Sequence, residues 1–276
     1  MTRTRPVAVY ILVALVGTAA FLYPFWIPAE SVPAQAHSVD APLWAALVGG
    51  LVVAAVMLEV RRGTMNGATV AILGVLSAAS GLLRLVDLPG NNAGIFFLVV
   101  LAGPAFGPRF GLLLGISAMA VSAIVTGGIG PWLPFQMLAL GAMGAGAGAI
   151  DPVARRLGLR GEVVVLAAYG WVWGFLYGAI MNLWSWPFLQ GSGPTQWQPG
   201  LGLVATLHHY WAYYVATSFA WDAAGALFNA LLILVTGAAI LPSLRRFAHR
   251  LAPAVEFLPM ESLARTGHNA ASDLTS

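Results

Sequence analysis

Lysine and cysteine are both absent from this 276-residue chain, and charged residues make up only 8% of it. The absence of cysteine excludes disulfides, thiolate metal sites and cysteine nucleophiles. A charged fraction far below the roughly 25% of soluble domains excludes a water-soluble fold. The 13 basic residues are all arginines. Because they border apolar runs instead of forming a basic stripe, no nucleic-acid partner is expected.

Hydrophobic residues make up 59% of the chain. They are gathered in runs close to the ~20 residues that a helix needs to cross the hydrocarbon core of a bilayer. We predict an all-α polytopic membrane helix bundle with about eight transmembrane helices. The predicted spans are residues 7–27, 43–60, 66–86, 92–107, 110–126, 134–150, 163–186 and 209–241. The last run is too long for one crossing, so His208–Ala220 is expected to be an interfacial segment before a crossing from Trp221 to Leu241.

The arginines indicate how these spans are oriented. If the N-terminus is cytoplasmic and the number of crossings is even, only Arg84 lies towards the outside. The other arginines then fall on the cytoplasmic side: Arg3, Arg5, Arg61, Arg62, Arg109, Arg155, Arg156, Arg160, Arg245, Arg246, Arg250 and Arg265. The positive-inside rule therefore predicts a multi-pass protein of the cell membrane with both termini in the cytoplasm. Residues 252–276 are expected to form a flexible cytoplasmic tail.

The loops on the predicted outer side are rich in Gly, Pro, Asn, Gln and Trp, which form turns and flat hydrogen-bonding surfaces. The most informative run is Thr126–Met137, with the sequence TGGIGPWLPFQM. No strand precedes this run and no Lys-Ser/Thr pair follows it, so it is interpreted as a turn and not as a phosphate-binding loop. Such loops fit an extracellular pocket for a small molecule, and they also fit an interfacial aromatic belt without a ligand.

Three stretches of the chain resemble the substrate-specific S components of energy-coupling factor (ECF) transporters, which capture vitamins for import. They are Gly103-Pro104 with the following Phe106–Gly111, the Gly127–Met137 run, and the Gly/Ala-rich helix after it. The likeness covers roughly residues 64–246. It implies a six-helix core over residues 64–251, with two additional transmembrane helices in residues 1–63. It also implies that substrate is held at the outer end of the core, under the loops.

The same resemblance implies the partners of the chain. They would be a vitamin-type small molecule, a transmembrane coupling protein and ABC-type ATPase subunits, assembled in a lipid bilayer, while the chain itself would carry no cofactor and catalyse no reaction. Family members dock onto the coupling protein through small residues spaced by four on the first core helix. Here Ala71, Gly74 and Ala78 would form this partner-docking face. Internal helix packing explains the same pattern equally well.

Nine polar or aromatic residues near the predicted outer helix ends are candidate substrate contacts. They are Asn91, Asn92, Trp132, Gln136, Asn182, Trp186, His208, Arg84 and Asp222. Trp132 and Gln136 are the foremost candidates, because the first follows a rigid Gly-Pro turn and the second faces back from the helix below it. Arg84 and Asp222 either pair with each other and brace the pocket, or Arg84 meets a substrate carboxylate or phosphate.

The remaining candidates have both a functional and a structural interpretation. Asn182 and Trp186 offer an amide and an indole to a heterocyclic vitamin, or they belong to an interfacial belt. His208 and His209 diverge by about 100° on a helix, so one metal ion could not easily bind both, and no metal site is predicted. His208 alone caps the pocket, contacts a metal-containing vitamin, or is structural.

The function that the resemblance favours is ATP-driven vitamin uptake, with cobalamin ahead of pantothenate, folate, riboflavin, biotin and a thiamine precursor. Cobalamin leads because the long aromatic loop Pro187–Leu207 has room to cover a large ligand. An autonomous secondary transporter is an alternative, although the chain shows no internal repeat and no set of midplane acids. A membrane enzyme is a further alternative that lacks clustered acids, metal ligands or a nucleophile beside a base.

Overall fold

The computed structural model describes residues 7–25, 40–63, 65–86, 90 and 93–251. Within them the secondary structure is helical, apart from an isolated bridge between Gln190 and Trp197. The α-helices in chain order are α1 (Val7–Leu22), α2 (Ala41–Arg61), α3 (Gly67–Leu83), α4 (Ala93–Phe106), α5 (Pro108–Thr126), α6 (Leu133–Ala154), α7 (Gly158–Ser185), α8 (Leu203–Thr217) and α9 (Phe219–Leu251). The predicted all-α fold is confirmed.

The long apolar helices match the predicted membrane spans. Four helical stretches are long and apolar enough to cross a membrane, namely Ala41–Arg61, Pro108–Thr126, Leu133–Phe188 and Phe219–Arg250, and the third of them contains both α6 and α7. Shorter apolar helices cover Tyr10–Phe25, Gly67–Leu83 and Gly94–Phe106. Together these helices account for the predicted crossings, and the chain is a polytopic membrane helix bundle.

The last predicted run is divided into two helices, as expected from its length. Helix α8 ends at Thr217, the Ser218 amide bonds to the Tyr214 carbonyl, and α9 begins at Phe219. Helix α8 starts at Leu203, five residues before the predicted boundary. Helix α9 has 33 residues, so it is about 50 Å long and extends beyond the ~30 Å hydrocarbon core.

Glycines let α5 and α6 pack with their backbones in contact. A Cβ atom at Gly144 would collide with the Gly111 carbonyl, and a Cβ atom at Gly111 would collide with the Gly144 carbonyl. The turn between these helices also depends on glycine, because Gly127 has a left-handed φ of 68° that closes α5. The α5–α6 hairpin is therefore a close helix pair of the small-residue type found in membranes.

Buried ion pairs gather at one end of the bundle, where α6 and α9 end and α5 and α7 begin. The Arg245 guanidinium donates to both carboxylate oxygens of Glu162, with Nη1–Oε2 at 2.8 Å, and its Nη2 also lies 2.6 Å from Asp151 Oδ1. Glu162 is 1% exposed. Because most arginines of the described chain lie near this end, we call it the arginine end.

The two N-terminal helices join the rest of the bundle at the same end. Glu59 of α2 accepts hydrogen bonds from the Tyr10 hydroxyl of α1 (2.9 Å) and from Arg109 Nη1 of α5 (3.2 Å). The Arg109 guanidinium also lies 5.6 Å from the centroid of the Tyr10 ring, within the range of a cation–π contact. These contacts attach α1 and α2 to α5.

Candidate functional site

The predicted substrate contacts gather at the opposite end of the bundle, which we call the loop end. Helices α3, α5 and α7 end there, and α4, α6 and α9 begin there. Three contacts bring these ends together: Arg84 to Ser122 between α3 and α5, Trp132 to Trp184 between the α5–α6 loop and α7, and Gly90 to Gly225. Asn91 and Asn92 lie outside the described residues.

Arg84 follows directly after α3 and turns towards α5. Its Nη1 lies 3.4 Å from the Ser122 hydroxyl and 3.5 Å from the Met119 sulfur, both of which are neutral. Among the described residues Arg84 forms no ion pair, and the pairing with Asp222 that the sequence allowed is not formed. This guanidinium has donor groups to spare at a half-buried position just beyond the apolar helix α3.

Asp222 lies in the first turn of α9, with its carboxylate against α7. A Cβ atom at Gly178 would collide with both of its carboxylate oxygens, and Oδ2 is buried without a hydrogen-bond partner among the described residues. The neighbouring Tyr214 hydroxyl interacts with this carboxylate and bonds at 3.3 Å to the Phe175 carbonyl. Among the described residues, Asp222 thus has tyrosine neighbours and no cationic partner.

Tyr177 of α7 lies near both Arg84 and Asp222. Its side chain is buried, its ring packs edge-on against Phe96 with centroids 4.8 Å apart, and its hydroxyl has no hydrogen-bond partner among the described residues. The hydroxyl interacts electrostatically with both Arg84 and Asp222. Tyr177 and Asp222 line a small cavity of about 10 Å³ under Gly90, which has room for about one water molecule.

Sequence reasoning missed a row of hydroxyls next to Arg84. Ser77 and Ser80 are buried on α3, and both hydroxyls lack a partner among the described residues. The spacing of Ser77, Ser80 and Arg84 places the three side chains on one face of α3, and this signal was available in the sequence. Ser122 and Tyr177 come from other helices, so no local pattern points to them.

Trp132 and Gln136 lie at the start of α6. Trp132 is exposed, donates its indole N–H to the Gly128 carbonyl at 3.2 Å, and meets Trp184 edge-on with ring centroids 6.1 Å apart. Gln136 is half-buried one turn further along the helix. The structure therefore places these two residues together with the end of α7, but away from the direct contacts of Arg84.

Asn182 joins α7 to the junction between α8 and α9. Its side-chain oxygen accepts a hydrogen bond from the Ser218 hydroxyl at 3.1 Å, and its amide nitrogen lies 3.5 Å from the Thr217 hydroxyl. These bonds use both ends of the amide, so Asn182 fixes the α8–α9 break in this conformation.

Trp186 is the centre of an aromatic cluster that covers the loop end. The side chain is fully buried, its indole N–H donates to the Thr195 carbonyl at 3.0 Å, and its ring packs against Phe25, Trp197 and Tyr210. His209 Nδ1 lies 3.0 Å from the Gln196 carbonyl, whereas His208 is exposed. A substrate would reach Trp186 only after this cluster opened.

The partner-docking face predicted on α3 is open in the described chain. Ala71 and Gly74 are exposed, Ala78 is half-exposed, and a Cβ atom added at Gly74 would meet nothing within 4 Å. The opposite face of α3 carries the buried residues Leu73, Leu76 and Ser80. Internal packing therefore does not use the small-residue face.

An apolar groove of about 320 Å³ lies between α1 and helices α5 to α7. Its lining is apolar apart from Thr18, whose hydroxyl bonds to the Ala14 carbonyl at 2.9 Å. Ligand pockets of this size carry a few polar groups that orient the ligand, and this groove offers none. In the described part of the chain, no three His, Asp or Glu side chains are grouped to hold a metal ion.

Comparison with known proteins matches the chain to a family model. No curated protein and no solved structure matches the chain. A family model described as ECF transporter, substrate-specific component, matches residues 68–237. The matched residues run from the start of α3 into α9 and so include Arg84, Ser122, Tyr177 and Asp222. Because the match spans more than half of the chain, the protein belongs to the family of substrate-specific components of ECF transporters.

Proposed function

We propose that this chain captures a vitamin or related micronutrient at the outer face of the cell membrane and delivers it to an ATP-driven ECF importer. The polar cluster at the loop end carries the proposal, since it combines the charge of Arg84, which forms no ion pair among the described residues, with buried hydroxyls that also lack partners there. Buried polar groups are usually satisfied, and a bound substrate would satisfy these. The family match supports the same reading.

The distribution of arginines supports an extracellular loop end. The arginine end holds Arg61, Arg109, Arg156 and Arg245 near helix ends, whereas Arg84 lies at the loop end. By the positive-inside rule the arginine end faces the cytoplasm, which places both termini there. Substrate would then enter from outside, next to Arg84 and Trp132.

We further propose that the six-helix core spans residues 64–251 and that α1 and α2 are an addition to it. Glu59, Tyr10 and Arg109 attach both helices at the arginine end, and Phe25, which follows α1, packs on Trp186 at the loop end. This arrangement leaves α3 free to meet a partner.

The proposed partners are a membrane coupling protein that packs on the open face of α3 and the ABC-type ATPases bound to it. Small residues let the backbones of two membrane helices approach closely. Co-expression with candidate coupling and ATPase subunits tests this surface. Ala71→Trp should abolish their co-purification, and Ala168→Trp, the same change at an exposed position of α7, should not. Normal co-purification of the Ala71→Trp protein would contradict this docking face.

The substrate proposal is tested with the purified chain. Small molecules that co-purify with it in detergent are identified by mass spectrometry and visible absorbance, and binding of added vitamins is measured by isothermal titration calorimetry. Cobalamin is the first compound to test, because the aromatic segment between α7 and α8 has room to cover a large ligand when it opens. A vitamin that binds reversibly supports the proposal. Transport by the chain alone in liposomes would instead favour a secondary transporter.

A further inference from the structure

The unsatisfied polar atoms at the loop end indicate what kind of ligand fits there. Arg84 offers five N–H donors, and its two contacts are long ones to Ser122 and Met119. Among the described residues no carboxylate lies within ion-pair distance of it. A half-buried arginine at the end of a membrane helix that has no anionic partner among the described residues is a candidate for binding an anion.

Apart from the Met119 sulfur, the polar groups described around Arg84 are hydroxyls. The Ser80 and Ser77 hydroxyls lie one and two turns below it on α3, and the Ser122 hydroxyl faces it from α5. The Tyr177 hydroxyl approaches from α7 and interacts electrostatically with the guanidinium. Each of these hydroxyls can donate a hydrogen bond. A positive charge surrounded by available O–H donors is the environment that an oxyanion requires.

Asp222 marks the limit of this environment. Its carboxylate lies against Gly178 of α7 and forms no ion pair with Arg84. The separation keeps the guanidinium available, whereas a direct Arg84–Asp222 pair would neutralise it. An anionic group can therefore bind to Arg84 while Asp222 accepts a hydrogen bond from a donor elsewhere on the same ligand.

We infer that the substrate carries a carboxylate or phosphate group, and that Arg84 binds this group with help from the hydroxyls of Ser80, Ser122 and Tyr177. The inference rests on the proposed function and narrows it to anionic micronutrients. The Arg84 guanidinium supplies the charge and the forked geometry that suit two oxygens of one anion. The three hydroxyls replace the water molecules that the anion leaves behind.

The first test uses simple anions, so that it does not depend on knowing the vitamin. Thermal unfolding of the purified protein is followed by tryptophan fluorescence in dodecyl maltoside, a detergent without phosphate, with added propionate or inorganic phosphate and with chloride at equal ionic strength. Propionate or phosphate should raise the melting temperature of the wild type above that in chloride and leave Arg84→Gln unchanged. Arg156→Gln, which removes an exposed arginine at the other end, should respond like the wild type. An equal response in Arg84→Gln, or none in the wild type, would overturn the inference.

A lipid headgroup is the other source of an anion near a membrane surface. Phosphatidylglycerol is therefore added to the same detergent sample in place of propionate or phosphate. If phosphatidylglycerol stabilises the wild type through Arg84 while propionate and inorganic phosphate have no effect, Arg84 belongs to a lipid site and the inference is wrong.

The second test compares vitamins by calorimetry. Pantothenate and biotin carry a carboxylate and cobalamin a phosphodiester, whereas riboflavin is neutral and thiamine cationic. We expect the bound vitamin to be one that carries a carboxylate or phosphate group, with an affinity that falls about 10- to 100-fold in Arg84→Gln and severalfold in Tyr177→Phe, a change that keeps the buried ring. Binding of riboflavin or thiamine with unchanged affinity in Arg84→Gln would preserve the proposed function and overturn the inference. Absence of binding by every vitamin would count against the proposed function, while the small-anion test would still decide the anion site.

Discussion

The arginine end and the loop end of the bundle differ in whether their charged side chains form ion pairs. At the arginine end, Arg245 lies between Glu162 and Asp151, and Arg109 contacts Glu59. At the loop end, Arg84 and Asp222 both lie near Tyr177 and form no ion pair with each other. The charges that hold helices together at the arginine end are therefore paired. We interpret the unpaired charges as groups reserved for a ligand.

The largest effect is expected from breaking the arginine end. Arg245→Ala leaves Glu162 and Asp151 without their shared cation, and Glu162 is buried. Loss of one partner of a buried ion pair costs about 3–5 kcal/mol, so the free energy of unfolding, measured by titration with SDS in mixed micelles, should fall by about that amount. Arg246→Ala removes the exposed neighbour, which contacts Ser243, and should change it by less than ~0.5 kcal/mol. Similar values for the two variants would contradict a structural role for the Arg245 cluster.

A smaller loss is expected where α2 joins α5. Arg109→Gln removes the guanidinium from Glu59 but keeps the Tyr10 hydrogen bond to the carboxylate. Because the Arg109 side chain is 41% exposed, water compensates part of the loss, and a decrease of about 1–2 kcal/mol in the free energy of unfolding is expected. Arg61→Gln, at an exposed position of α2, is the matched control and should leave stability unchanged. If Arg109→Gln also has no effect, the attachment of α2 does not depend on this pair.

The positions of the membrane helices were predictable from the sequence, whereas the residues at which they begin and end were not. Apolar runs mark the parts of helices in hydrocarbon, but α6 continues to Ala154 and α7 begins at Gly158, beyond the predicted spans. The polar residues there resemble a loop when read locally. They are helical because Asp151 and Glu162 form ion pairs with Arg245. Glu162 and Arg245 are 83 positions apart in the chain.

The candidate site was predictable to a similar extent. Arg84 and Asp222 stand out as isolated charges near helix ends, and the structure places both at the loop end. The sequence did not show that the two would remain unpaired near Tyr177, because that residue belongs to a third helix. Trp186 looked available for stacking, but the loop between α7 and α8 folds over it. Local patterns show which residues reach one end of the bundle, and tertiary packing decides which of them remain accessible.

Replacing one carboxylate by an amide at each end of the bundle compares the two ends directly. Asp222→Asn replaces a carboxylate whose Oδ2 has no partner among the described residues, so the free energy of unfolding should change by no more than about 1 kcal/mol. Glu162→Gln makes the same replacement in the Arg245 cluster and should be clearly destabilising, because charge-assisted hydrogen bonds are lost. A large loss in Asp222→Asn would mean that the carboxylate braces the fold of the unliganded protein.

The smallest effect, and one of opposite sign, is expected at Ser80. Its hydroxyl is fully buried and lacks a partner among the described residues, and a buried unsatisfied hydroxyl costs free energy. Ser80→Ala should therefore raise the free energy of unfolding by up to about 1 kcal/mol without ligand, less a small penalty for the space that is left. Ser243→Ala is the control, because the Ser243 hydroxyl bonds to the Ala239 carbonyl and its removal should be neutral or slightly destabilising. The Ser80 variant should also gain less stability from a bound anion than the wild type. Lower stability of Ser80→Ala in the absence of ligand would show that the hydroxyl is already satisfied in the empty protein, and Ser80 would then have to be removed from the anion site.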